Sequence, residues 1–140
     1  MSDTKQKVLN MLDKHSIGTL ATVRDQKPYT RFMLFFHDEL TLYTATNRSY
    51  DKVEDLQENS SVHILLGYEG KGFQDAYAEI EGRASIEESE ELKARFWTDS
   101  LKEWISSPND PDYVLIKIQP VYIRYFDKAG SEPQEIKNLA

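Results

Sequence analysis

Two cations and two hydroxyls carry the clearest chemical signal in this chain: Arg31, Thr46, Ser49 and Lys52, all within residues 28–56 (PYTRFMLFFHDELTLYTATNRSYDKVEDL). Arg31 stands among Tyr29, Phe32, Met33 and Phe35 in an apolar stretch with no acidic neighbour. A cation there is costly unless it reaches solvent or gains an anion. Lys52 opens a predicted helix, where unpaired backbone N–H groups and a partial positive charge favour a phosphate monoester. Charge-assisted hydrogen bonds to such a group contribute roughly 1.5–3 kcal/mol each. The same residues admit a second reading, in which Asp51 or Ser49 caps the helix, Lys52 is solvated and Arg31 points outward. Spacing alone leaves both readings open.

The elements that must position these groups follow from periodicity. Residues 4–14 place Val8, Leu9, Met11 and Leu12 near one helical face, and residues 17–23 (IGTLATV) read as a strand. The turn RDQKP leads to a second strand over 29–36, and a third covers 40–45. A helix over 51–58 turns Val53 and Leu56 inward, and a fourth strand spans 61–68. The clearest alternation is AYAEIEGRASI at 76–86, with Ala76, Ala78, Ile80, Gly82, Ala84 and Ile86 on one face. Small residues on that face indicate the crowded wall of a small barrel. Residues 87–105 switch to helical period, with Leu92, Phe96, Leu101, Trp104 and Ile105 on one stripe. A sixth strand over 113–126 carries Pro120, which marks a bulge or a change of partners. The expectation is a mainly β, six-stranded barrel with added helices, one domain over 1–140, and a flexible polar tail at 128–140.

Composition excludes several classes. There is no cysteine, so disulfides and thiolate chemistry are absent, which fits a cytoplasmic protein. The formal charge of −7 lacks the basic footprint of a nucleic-acid binder. It does not forbid a bound phosphate, because screening acts over about 8 Å and the local group of Arg31, Arg48 and Lys52 decides. No apolar run approaches the ~20 residues that span a bilayer, and the first residues show no signal-peptide pattern. The three histidines sit in separate elements without HExxH spacing, so no metal site is expected. No G-x-S-x-G motif or paired carboxylate dyad stands out, and EESEE at 87–91 reads as a solvated helix start. Trp97 and Trp104 fit core packing, or, for Trp104, the wall of a planar cofactor site.

The ordered landmarks GTLATV, YTRFM, TATNRSYDKVEDL, YAEIEGRASI, FWTDSLKEW and DPDYVLIKIQPVYIRYF resemble the general stress protein 26 family. That family is a branch of the pyridoxamine 5'-phosphate oxidase-like FMN-binding split barrels, and the likeness runs from about His15 to Asp127. The resemblance implies a six-stranded split barrel and a homodimer with FMN at the subunit interface. On it, Arg31 matches the strand arginine contacting the flavin phosphate, and Phe32, Met33 and Leu34 would border the isoalloxazine, partly through backbone groups. Thr46 and Lys52 fall at the phosphate-binding turn with Ser49 between them, and Trp104 lies near the cofactor. Two departures stand out. Asp51 sits beside Lys52 where the oxidases carry a second basic residue, and the C-terminal segment that grips their phosphorylated substrate has no counterpart.

The function expected on this resemblance is an FMN-dependent oxidoreductase with a stress-related role. Its substrate would be a small redox-active molecule, with NAD(P)H as a transient donor, since no GxGxxG fingerprint argues for tight nucleotide binding. The alternatives are a flavin-binding sensor module without turnover, or a split barrel using deazaflavin or heme.

Overall fold

The computed structural model describes residues 3–139; Met1, Ser2 and Ala140 of the expected 1–140 span lie outside the described residues. Helix α1 (Asp3–Lys14) begins with Asp3 and ends with Lys14, charges that suit the two ends of the helix dipole. It buries Val8, Met11 and Leu12. Strands β1 (Ile17–Arg24) and β2 (Lys27–Asp38) form a hairpin closed by two residues, Asp25 and Gln26, with φ of 52° and 65°. Two consecutive left-handed residues match the right-handed twist of the flanking strands. Strand β3 (Thr41–Asn47), helix α2 (Asp51–Glu58), β4 (Ser61–Leu66) and β5 (Tyr77–Glu87) follow.

The antiparallel sheet runs β3-β2-β1-β4-β5-β6, where β6 is Tyr113–Phe126, and pairing of β3 with β6 closes it into a six-stranded barrel. Leu20, Leu42, Ile64, Ile80, Ile116, Ile118 and Ile123 fill the interior. The alternation at 76–86 holds: Ala78, Ile80, Gly82 and Ala84 all point inward. The wall is as crowded as expected at Gly82, where a Cβ would come within 2.8 Å of Ile118 Cγ2. Pro120 does mark a bulge. Glu81 pairs with Tyr122 and Gly82 with Pro120, which leaves Val121 as the extra residue.

Two expectations need correction. Residues 87–105 do not form one helix. They give α3 (Glu90–Arg95), capped by the Ser89 hydroxyl, and a separate 3₁₀ turn over Asp99–Glu103. Thr98 between them is extended. The break lets Phe96, Leu101 and Ile105 pack onto the outer face of β3 and β6, where Tyr43, Ala45, Tyr113 and Leu115 form a second core. Tertiary packing thus overrides a continuous helical period. The polar tail also carries structure: β7 (Gln134–Ile136) pairs with Ile123–Tyr125 of β6. It takes the β6 edge beyond the last β3 pairing, Leu42 with Ile118. Gln134 accepts from Thr4 and Lys7 of α1, which ties the tail to the helix.

Candidate functional site

Strand alternation sends Arg31 and Met33 to one side of β2, and Phe32 and Leu34 to the other. Leu20 of β1 lies opposite Arg31 in the ladder. The Arg31 guanidinium donates to the Thr22 hydroxyl at 2.7 Å and to the Leu20 carbonyl at 3.3 Å. From the other side, Lys52 in the first turn of α2 donates to Thr46 Oγ1 at 3.3 Å and lies 4.9 Å from the Tyr50 ring centroid. Thr46 is fully buried at the end of β3.

Neither Arg31 nor Lys52 forms a salt bridge among the described residues. Burial pushes both pKa values below their ordinary positions. The positive charge of Arg31 lowers Lys52 further, while Asp55 acts to raise Arg31 and Arg24 to lower it. Two partly desolvated cations that repel one another and lack a carboxylate partner form a site suited to an anion.

Beside them opens a cavity of about 400 Å³, within the range of small-ligand sites. It is lined by Ile17 of β1, by Phe32, Met33 and Leu34 of β2, and by Tyr50, Lys52 and Trp104. Trp104 is fixed by its indole N–H, which donates to the Ala45 carbonyl at 3.4 Å. Trp97 instead packs edge-on against Tyr113 in the outer core, with ring centroids 5.7 Å apart.

The structure brings Arg31, Thr46 and Lys52 together and places Phe32, Met33, Leu34 and Trp104 around one cavity. It does not bring Ser49 in. That side chain is exposed, and both its hydroxyl (2.7 Å) and its N–H (3.0 Å) donate to Asn47 Oδ1. Arg48 is turned away as well, in an ion pair with Glu88. The capping reading also fails, because Tyr50 is the N-cap and no side chain caps α2. Asp51 is exposed, and Arg24 lies 3.6 Å from it, which offsets its charge next to Lys52.

Ile17 and Tyr50 are cavity residues that sequence reasoning missed. Ile17 opens β1 opposite Leu34, and the exposure of 63% that results is a product of that register. Tyr50 had one local signal, its place immediately before the helix that carries Lys52.

His15 meets Glu69 at 3.2 Å, His37 meets Asp13 at 2.7 Å, and no cluster of metal-binding side chains occurs among the described residues. No helix among them is long and apolar enough to cross a membrane.

Comparison with known proteins agrees with this architecture. The family model for pyridoxamine 5'-phosphate oxidase matches residues 4–127. General stress protein 26 of Bacillus subtilis (strain 168) is 45% identical over 135 residues, covering 96% of each chain. The crystal structure of General Stress Protein 26 from Bacillus anthracis superposes with a TM-score of 0.88 at 43% identity, covering 97% of this chain and 99% of that one. A heme-binding protein from Mycobacterium smegmatis shares the fold, with a TM-score of 0.80 at 14% identity over 99% of this chain and 59% of its own. The chain belongs to the pyridoxamine 5'-phosphate oxidase family, among the relatives of general stress protein 26.

Proposed function

We propose that the chain is an FMN-binding flavoprotein, an oxidoreductase with a stress-related role in the cytoplasm. The observation that carries this reading is the pair Arg31 and Lys52, partly desolvated and without a salt bridge among the described residues, with Lys52 lining an apolar cavity. The donor set fits a phosphate monoester, and the apolar walls fit a planar ring system. Arg31 and Lys52 would hold the phosphate, with Thr46 fixing the ammonium. Phe32, Met33 and Leu34 would border the ring, and Trp104 and Tyr50 would help to exclude water. Bound FMN would supply the redox chemistry, with the protein providing grip, orientation and exclusion of solvent.

A second copy of the chain completes this reading. Phe32 is 79% exposed although it lines the cavity. The ladders align it with Thr19 and, across β1, with the exposed Leu65. An apolar row of this kind suits burial in a homodimer, which would close the open side of the cavity. NAD(P)H is then a transient electron donor rather than a resident ligand.

Titration of the purified protein with FMN and with riboflavin, read by flavin fluorescence and anisotropy, tests the proposal. FMN should bind at micromolar concentration and riboflavin at least tenfold more weakly, since about 1.5–3 kcal/mol accompanies each charged hydrogen bond. Unchanged signals at tens of micromolar protein would remove the proposal.

One observation favours a non-catalytic flavin binder as the second reading. Among the described residues, Tyr50 and Lys52 are the only titratable groups lining the cavity. Repeated reduction by NAD(P)H and reoxidation would select the enzyme; reduction limited to one turnover, or none, would select the binder. Competition of FMN against deazaflavin and heme ranks the other ligands of interest.

A further inference from the structure

Asp55 of α2 is buried at 5% exposure, and its charge acts on Arg31, yet the two form no ion pair. Both Asp55 oxygens are taken by Arg24, with Nε to Oδ1 at 2.9 Å and Nη2 to Oδ2 at 3.1 Å. A bidentate pair of this kind is the geometry in which arginine holds a carboxylate most firmly. Arg24 is further steadied by the Tyr29 ring, 5.0 Å from its guanidinium carbon.

Among the described residues, Arg31 donates only to uncharged acceptors, Thr22 Oγ1 and the Leu20 carbonyl. Thr22 is itself 1% exposed, so its hydroxyl has no access to bulk water. A neutral acceptor fixes the direction of a guanidinium while leaving its charge uncompensated. A carboxylate would fix it equally well but would compete with any arriving anion.

We propose that Arg24 and Thr22 are positioning residues for Arg31. Arg24 saturates Asp55, so this carboxylate does not capture Arg31, and Thr22 aims the guanidinium without neutralising it. The inference rests on the reading of Arg31 as a phosphate cation and adds the residues that keep it available. Neither Thr22 nor Arg24 lines the cavity.

The test compares FMN and riboflavin affinities of the full chain and of Thr22→Val, Thr22→Ser, Arg24→Gln and Arg24→Gln/Asp55→Asn. Thermal melts of each variant establish that it is folded. Thr22→Val should weaken FMN about tenfold while leaving riboflavin unchanged, and Thr22→Ser should retain FMN affinity, because one hydrogen bond to a charged group is at stake. Arg24→Gln frees the carboxylate and should also cut the FMN-over-riboflavin preference about tenfold. Removing that carboxylate in the double variant should restore it. A role confined to stability would not move this ratio, nor be rescued by Asp55→Asn.

Folded variants that keep the parental ratio would overturn the positioning roles while leaving the phosphate site in place. A parent protein with no preference for FMN would remove the phosphate reading and this inference together. If Arg24→Gln does not fold, the two Thr22 variants and the double variant decide the matter on the same ratio.

Discussion

The Lys52 ammonium donates to Thr46 Oγ1 across 3.3 Å and so joins the first turn of α2 to the buried end of β3. This contact holds a cation partly out of water with only a neutral partner. On the proposed reading, the arrangement costs the protein some stability and prepares it for an anion, a trade-off common at functional sites.

Reversal of the charge should show this first. Lys52→Glu should weaken FMN at least about tenfold, since it sets a carboxylate where the proposed phosphate dianion would sit. The fold should survive, with a circular dichroism spectrum like that of the parent. An unchanged dissociation constant would mean that the phosphate lies elsewhere.

Neutralisation should separate binding from stability. Lys52→Met removes the desolvated charge and keeps the aliphatic stem, so the ligand-free protein should gain about 0.5–1 kcal/mol in denaturant titrations. FMN affinity should fall in the same variant. The pH dependence follows the same sign. The folded-state pKa of Lys52 is depressed, mainly by burial and then by Arg31. The folded protein therefore binds fewer protons than the unfolded chain between this depressed pKa and the ordinary value of 10.5. Its contribution to stability should rise with pH across that window, while FMN affinity declines as the ammonium is lost. Lys52→Met should abolish both trends, as followed by melts and titrations at alkaline pH.

Glu69 should behave in the opposite sense. Hydrogen bonds from Lys14 and Lys71 hold its carboxyl down at about 2. The pair to Lys14, at 3.0 Å, links α1 to the loop between β4 and β5, and the pair to Lys71, at 3.1 Å, lies within that loop. Because the pKa is lowered from 4.5, the contribution is complete above that value and is lost as pH falls toward about 2. Amide exchange in residues 67–76 should accelerate on acidification through this window, and Glu69→Gln should show the faster exchange already at neutral pH. Equal protection in variant and parent would contradict the linkage.

The barrel wall should reject even one methyl group at Gly82. An added Cβ would meet Ile118 Cγ2 at 2.8 Å and the Gln119 carbonyl oxygen at 3.0 Å, beside the bulge at Val121. Gly82→Ala should therefore destabilise the fold by about 1–3 kcal/mol in chemical denaturation. The same substitution at Gly70, where no atom lies within 4 Å, meets no such obstruction and has only the positive φ of 85° to overcome.

What the sequence determined by itself was local in range. The inward run Ala78, Ile80, Gly82 and Ala84, the span of α2 and the bulge at Pro120 were legible because side-chain period and ring geometry act between neighbours in the chain. The residue types able to hold a phosphate were legible too, as was the order of landmarks that marks the family. Tertiary structure decided which of them meet. Arg48 looks equivalent to Lys52 in the sequence, yet it is drawn to Glu88, and Ser49 turns to Asn47. The helical stripe after residue 87 breaks so that Phe96 can stack on Tyr43, with centroids 4.8 Å apart. The polar tail gains a strand because β6 leaves an edge unpaired beyond Ile118. Above all, barrel closure brings Arg31 and Lys52 within electrostatic reach of one another with no salt bridge to either among the described residues, while Thr22 accepts from Arg31 and Asp55 is paired with Arg24. Ion-pair choice depends on distances set by closure of the barrel, and no local pattern encodes those distances.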